Sequence, residues 1–219
     1  MNATKVSTGE KGFAFERRIG VVLNLLKACM EKEEDWVIII HTEQGIRDFF
    51  NEQSLNGVDH MVQIQEPSGK QHLFLIQEKW KLITNQREVS QFLDCCARIL
   101  ARMPDYKGDI HRMWVSRTVP SANGEKSLHE GQCIVVQTCT SQSLLAFNTA
   151  LIMCDVIGRS DFRVEITGKI GSLLPCSDEI ILDPKADEPT NTFQPISDFG
   201  EKRVLPITNK TVVIINKVD

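Results

Sequence analysis

Two strand-like runs are joined by a short polar turn in GVDHMVQIQEPSGKQHLFLIQEKW, from Gly57 to Trp80. Val58 to Gln65 alternates between apolar and polar residues, and His72 to Trp80 is a second run of strand-forming residues. The Pro-Ser-Gly sequence at 67–69 between the two runs is typical of a tight turn. The stretch is therefore predicted to form a β-hairpin.

One face of the second predicted strand carries polar groups, although the strand is otherwise apolar. Because successive side chains on a strand point to opposite faces, Gln77 and Lys79 share a face that Glu78 does not. Asp59 lies on the neighbouring strand, where a cross-strand partner approaches to within about 5 Å. Glu16, at the margin of the apolar stripe of the first helix, can overhang the same corner. The pattern predicts that these groups meet at one end of a sheet.

Such a set suits a hard divalent cation, Mg²⁺ or Mn²⁺, which prefers oxygen ligands and keeps several waters. Asp59 offers a charged oxygen, Gln77 a neutral one, and the backbone carbonyl of Glu78 a third. Lys79 could orient an attacking water or stabilise charge on a phosphate. The neutral glutamine predicts weak metal binding that substrate assists. A one-residue bulge would bring the Glu78 carboxylate to the same face, so it is an alternative ligand.

These residues resemble the PD-(D/E)XK nuclease superfamily, and the Gln-x-Lys form is most similar to its Mrr-like restriction endonuclease branch. GFAFERRIGVVLNLL, Gly12 to Leu26, is similar to the first helix of that family, with Glu16 at the matching acid. GVDHMV matches its Gly-x-Asp strand, and HRMWVSR resembles a later strand. The resemblance covers roughly residues 10–138. It implies divalent-metal-dependent hydrolysis of DNA phosphodiester bonds, with Asp59, Gln77 and Lys79 as the catalytic core.

The order of helical and strand-like segments predicts an α/β class, a three-layer restriction-endonuclease-like fold whose mixed central β-sheet is flanked by helices. Helices are predicted at 10–31, 86–102 and 141–156, with a short helical turn at 46–50. Strands outside the hairpin are predicted at 36–40, 110–116 and 133–137. Residues 118–130 are rich in Ser, Asn, Gly and Pro and are predicted to be a loop.

Beyond about residue 158 the pattern weakens. We predict a nuclease-like core over residues 1–157 and an acidic, partly irregular extension over 158–219, with strand-like pieces at 162–166, 179–182 and 211–215. From Asp178 to Glu201 there is one Lys and seven Asp or Glu. This extension could form a dimer interface, recruit a protein partner or restrain activity. A homodimer is plausible because cutting both strands of a duplex usually requires two active sites.

The net charge of −4 argues against nucleic acid as a partner, but the charge is unevenly distributed. From Lys79 to Lys126 there are nine Lys or Arg and five Asp or Glu, a local charge of +4. Side chains in this region are predicted to contact the phosphates of DNA. The candidates are Lys81, Arg87, Gln91, Arg98, Arg102, Arg112, Arg117 and Lys126.

Seven cysteines, an odd number without CxxC spacing, indicate reduced and mostly buried thiols in the cytoplasm or nucleus. They are Cys29, Cys95, Cys96, Cys133, Cys139, Cys154 and Cys176. No apolar run is long enough to cross a bilayer, so no membrane association is expected. The opening MNATKVSTGEKG lacks the apolar region of a signal peptide.

Two alternatives to a DNA endonuclease follow from the same residues. A catalytically inactive protein of this fold would bind DNA or a protein, which the neutral Gln77 and the net charge of −4 favour. A junction-resolving or RNA-cleaving nuclease would use the same metal site. It ranks lower because the chain lacks the aromatic-rich sheet of a reader of single-stranded RNA.

Overall fold

A computed structural model describes residues 8–33, 35–81, 84–118, 120–138, 142–159, 161–162, 202–204 and 211–216. The helices are α1 Thr8–Met30, α2 Glu43–Phe49, α3 Gln86–Ala101, α4 Ala122–Glu130 and α5 Gln142–Val156. The strands are β1 Val37–Thr42, β2 His60–Gln65, β3 Gln71–Lys79, β4 Asp109–Ser116, β5 Cys133–Thr138, β6 Lys202–Val204 and β7 Thr211–Asn216.

The strands form one mixed sheet in the order β1-β2-β3-β4-β5-β7-β6. The first three strands are antiparallel, β3, β4 and β5 are parallel, and β7 pairs antiparallel with both β5 and β6. Helices α1 and α5 cover one face of the sheet, and α3 and α4 cover the other. The predicted three-layer α/β fold is confirmed, and the arrangement is consistent with a restriction-endonuclease-like fold.

Helix α1 packs on the sheet through the apolar stripe that its sequence predicts. Phe15, Ile19, Leu23 and Leu26 are all buried, and they contact a core that includes Phe74 of β3. Burying side chains of this size contributes about 1.5–3 kcal/mol each. The stripe therefore holds α1 across the sheet and leaves its polar margin near the strand ends.

The β2–β3 hairpin has the register that alternation predicts. His60 lies opposite Ile76 and Met61 opposite Leu75, and the Asp59 amide donates a 2.8 Å hydrogen bond to the Ile76 carbonyl. Continuing this register by one residue places Asp59 opposite Gln77. The hairpin turn at 67–69 is confirmed, with Gly69 at φ 84°.

The prediction that 118–130 is a loop is wrong, because residues 122–130 form α4. Ser121 caps this helix by accepting a 3.3 Å hydrogen bond from the Gly124 amide, and Leu128 is buried beneath it. A side chain at Gly124 would lie 3.1 Å from Pro120 and 3.3 Å from Val89, so glycine permits this close packing. The residues that indicated a loop instead form the cap and first turn of a helix.

Several predictions concern the C-terminal segment. The strand predicted at 211–215 is confirmed as β7. Of the strand predicted at 162–166, the first residue, Phe162, is helical. Residues 163–166 and 179–182, with the acidic stretch from Asp178 to Glu201, lie outside the described residues. The domain boundary between 157 and 158 stays a prediction, although β6 and β7 extend the sheet beyond β5.

Every cysteine within the described part of the chain is buried: Cys29, Cys95, Cys96, Cys133 and Cys154. Cys139 and Cys176 lie outside it. None of the described helices combines the length and the apolar character that crossing a membrane requires.

Candidate active site at the end of the hairpin

Asp59 is fixed at the end of β3 by hydrogen bonds to a single carboxylate oxygen. The Glu78 amide donates to Asp59 Oδ2 over 2.7 Å, and the Gln77 side-chain amide donates to the same oxygen. Gly57, at φ 115°, brings the chain into this position, and a side chain there would lie 3.0 Å from the Gln91 carbonyl. The structure thus brings Asp59 and Gln77 together.

Lys79 and Glu16 share the electrostatic surroundings of Asp59. Burial raises the pKa of Asp59, and the positive charge of Lys79 acts against this rise. Burial and the charge of Asp59 raise the pKa of Glu16, which Lys79 again opposes. These couplings place the two acids and the lysine within range of one another.

Trp80 holds α1 beside the end of β3. Its ring centroid lies 5.5 Å from that of Phe15, the residue before Glu16. The Arg117 guanidinium lies 5.4 Å from the ring centroid of Trp80. The tryptophan therefore links the helix that carries Glu16 to a cation at the end of β4.

Glu78 points to the opposite face of the sheet and pairs with His60. Its Oε1 lies 2.6 Å from His60 Nδ1, and its other oxygen is buried without a hydrogen-bond partner among the described residues. Burial raises the pKa of Glu78 to about 7. Burial disfavours the charged imidazole of His60, but the Glu78 carboxylate outweighs this and raises its pKa. The alternative in which a bulge turns Glu78 toward Asp59 is not observed, because β3 pairs with β4 without interruption from His72 to Lys79.

The contact between His60 and Glu78 was not predicted from the sequence. The signal was present, since His60 lies opposite Ile76 and Glu78 is two residues further along the same face. Position 20 shows how close α1 lies, because a side chain at Gly20 would be 3.5 Å from His60 Nε2. The pair therefore lies under α1, directly behind the strand end that carries Asp59.

Arg117, one of the predicted phosphate contacts, lies beside the last residue of β3. Its amide donates a 3.0 Å hydrogen bond to the Lys79 carbonyl, and its Nε is buried without a hydrogen-bond partner among the described residues. Lys81 is already paired with Glu88 in the first turn of α3. Gln91 donates a 3.1 Å hydrogen bond to Asn56 Oδ1 and so supports the loop before Asp59.

The remaining predicted phosphate contacts lie on helix surfaces or are engaged elsewhere. Arg87 is exposed in the first turn of α3, and Lys126 is exposed on α4, 3.7 Å from Glu130. Arg98 and Arg102 both pair with Glu52. Arg112 donates a 3.0 Å hydrogen bond to the Gly131 carbonyl. Of the predicted arginines, Arg117 therefore contacts the end of β3, through its backbone amide and the ring of Trp80.

The donor set at this corner fits a hard divalent cation in its chemistry. Burial raises the pKa of Glu16 and of Glu78, and the charge of Asp59 adds to the rise in both. A cation would relieve that accumulation of negative charge. The nitrogen of the Gln77 amide faces Asp59, so a half-turn of the amide would present its oxygen instead.

A second group of residues that could hold a metal ion lies at the opposite end of β3. His72, Asp109 and His111 each offer one donor atom, and these atoms lie within 4.8 Å of one another. This group was not predicted from the sequence.

No protein-family model matches the sequence, and no curated protein matches it. A solved structure described as "DNA modification-dependent restriction endonuclease AspBHI" is similar over 78% of this chain, with 13% identity and a TM-score of 0.31. This chain spans 44% of the length of that structure. A TM-score this low supports no conclusion about activity, which therefore has to be argued from the site itself.

Proposed function

We propose that the protein is an Mg²⁺- or Mn²⁺-dependent endonuclease that hydrolyses phosphodiester bonds in DNA. The observation that supports this most is the meeting of Asp59 and Gln77 at the end of β3, with Lys79 and Glu16 in electrostatic range. The acid and the amide can supply oxygen ligands to a hard cation, and the ammonium group can stabilise the charge that develops on a phosphate.

Asp59, Gln77 and the backbone carbonyl of Glu78 would hold the cation. When bound, such a cation polarises a phosphate oxygen and lowers the pKa of a water molecule. Lys79 would donate hydrogen bonds to that water or to the charge that develops on the phosphate. Glu16 would orient the water from the α1 side. The Glu78 amide holds Asp59 in position by donating a 2.7 Å hydrogen bond to its carboxylate.

Arg117 and Trp80 would bind the phosphate backbone beside the reacting bond. The guanidinium lies over the tryptophan ring and retains an Nε without a hydrogen-bond partner among the described residues. Guanidinium groups suit phosphate because their donors match its oxygens. Lys81, Arg87, Gln91 and Lys126 stay predictions as further contacts, as do a homodimer, a protein partner for the acidic extension and an intracellular location.

The experiment that tests this proposal is cleavage of supercoiled plasmid DNA with Mg²⁺ or Mn²⁺ by the wild type, Asp59→Asn and Asp94→Asn. Asp94 is exposed on α3 and serves as a matched control for removing a carboxylate. We expect nicking by the wild type and the control, and loss of at least 100-fold in rate in Asp59→Asn. Equal cleavage by all three proteins would refute the proposal.

One observation favours a binding protein of the same fold. Asp59 Oδ2 already accepts two hydrogen bonds, and Gln77 adds no negative charge for a cation. Calorimetric titration with Mn²⁺, with and without duplex DNA, separates the two functions. A nuclease binds Mn²⁺ more tightly with DNA present and loses this binding in Asp59→Asn, whereas a binding protein takes up DNA with no such dependence.

A further inference from the structure

A polar cluster at the start of β3 and β4 is separate from the Asp59 corner. The parallel register pairs His72 with Asp109 and Phe74 with His111, which brings the two histidines and the aspartate together. His72 and Gln77 are five residues apart on one strand, a distance of about 16 Å. A ligand held by this cluster would therefore not touch the proposed nuclease site.

Two of the donor-atom distances in the cluster are close to those of a four-coordinate metal site, and all three donor atoms lie within 4.8 Å of one another. His72 Nδ1 lies 3.4 Å from His111 Nε2 and 3.7 Å from Asp109 Oδ2. In a tetrahedral zinc site with metal–ligand bonds of about 2.0–2.2 Å, the ligand atoms are about 3.4 Å apart. Small movements of the side chains would be enough to admit an ion between the three atoms.

Glu66 prepares His72 to act as a ligand. Its Oε1 lies 2.8 Å from His72 Nε2, and the His72 side chain is fully buried. A carboxylate oxygen accepts a hydrogen bond from an N–H group, so the hydrogen of His72 sits on Nε2. The lone pair of Nδ1 then faces His111 and Asp109. A carboxylate behind a metal-binding histidine orients the ring in the same way in known metal sites.

The cluster is open to solvent on the side of Asp109. The Asp109 side chain is 52% exposed, and its Oδ2 lies 3.0 Å from Lys70 Nζ. Lys70 is itself exposed, so it can withdraw into water when a metal ion takes its place. Water can reach the remaining coordination position by the same route.

We propose that His72, His111 and Asp109 bind a transition-metal ion of the Zn²⁺ class, with Glu66 orienting His72 and water in the fourth position. Two imidazole nitrogens select such an ion over Mg²⁺, which prefers oxygen ligands. The ion would link the start of β3 to the start of β4, with Glu66 of the β2–β3 turn behind His72. This site is distinct from the proposed Mg²⁺ site in its donors and in its place on the sheet.

The test is titration of the full-length protein with Co²⁺, followed by visible absorption, and with Zn²⁺ in competition with a chromophoric chelator. We expect one equivalent of each ion and the intense absorption of four-coordinate Co²⁺. His111→Gln should abolish binding, and Glu66→Gln should weaken it by about 10–100-fold. His129→Gln, which removes an exposed histidine of α4, and Asp59→Asn should both bind as the wild type does.

Three results would overturn the proposal. They are no uptake of Zn²⁺ or Co²⁺ by the wild type, equal uptake by a folded His111→Gln variant, and sulfur-to-cobalt charge-transfer absorption, which would identify a cysteine ligand. Circular dichroism establishes that each variant is folded. Because Asp59→Asn is expected to keep the ion, failure of this site and failure of the nuclease proposal are distinguishable.

Discussion

Replacing Gln77 by glutamate should convert a stabilising contact into a repulsive one that a metal ion relieves. The Gln77 side chain is only 2% exposed, and its amide donates a hydrogen bond to Asp59 Oδ2. In Gln77→Glu two carboxylates would face each other. At an effective dielectric constant of about 20 and a separation of about 4 Å, their repulsion is about 4 kcal/mol.

Protonation of one carboxylate limits that cost. The pKa of an ordinary carboxyl lies about 2.5 units below neutral pH, so keeping that carboxyl protonated at neutral pH costs about 3 kcal/mol. We therefore expect Gln77→Glu to lose about 3 kcal/mol of unfolding free energy at neutral pH without metal. The folded state would keep a proton that the unfolded state releases, so the loss should shrink as the pH falls toward about 4.5.

Urea unfolding with and without Mn²⁺, together with calorimetric titration, measures both consequences. We expect saturating Mn²⁺ to restore most of the lost stability, and the affinity for Mn²⁺ to rise at least tenfold over the wild type. Gln63→Glu is a matched control, because Gln63 lies between the apolar Ile39 and Leu73 in the sheet. An unchanged affinity for Mn²⁺ in a destabilised Gln77→Glu variant would refute the reasoning about this site.

Three further predictions follow from contacts of the structure. Burial raises the pKa of Glu78 to about 7, so its proton is bound more tightly in the folded state. Wild-type stability should therefore fall as the pH rises from about 4.5 to 7, and urea unfolding of Glu78→Gln should show a smaller fall. Arg117→Ala should weaken DNA binding and lower the salt dependence by about one counterion, unlike the exposed Lys126→Ala, in fluorescence-anisotropy titrations. Asn85 caps α3 by accepting a 3.1 Å hydrogen bond from the Glu88 amide, so Asn85→Ala should cost about 1 kcal/mol in thermal unfolding.

Strand alternation in the hairpin was enough to predict that Asp59 and Gln77 meet. Alternation has a period of two residues, so a correct register follows once the turn is placed. The same rule located Glu78 on the other face, but it did not reveal the pairing with His60. Alternation places His60 and Glu78 on one face, but it does not show that both side chains are buried there, which is what makes them partners.

The pattern of residues along the chain did not predict contacts between segments that are far apart in sequence. The cluster of His72, Asp109 and His111 exists because β3 and β4 pair in parallel, although His72 and His111 are 39 residues apart in the chain. Nothing in the composition of either strand specifies that neighbour. Helix α4 was missed for a local reason, since the Ser121 cap and Gly124 resemble loop residues until Leu128 is seen to be buried.

The single-turnover rate of plasmid cleavage by Lys79→Ala, compared with wild type at saturating Mn²⁺, would show whether the end of β3 is a nuclease active site. The proposed function assigns Lys79 to the water or the phosphate and not to the metal, so the variant should keep its affinity for Mn²⁺. Its rate of plasmid cleavage should fall at least 100-fold. Cleavage at the wild-type rate by a folded Lys79→Ala protein, or no cleavage of DNA or RNA by the wild type, would contradict the account.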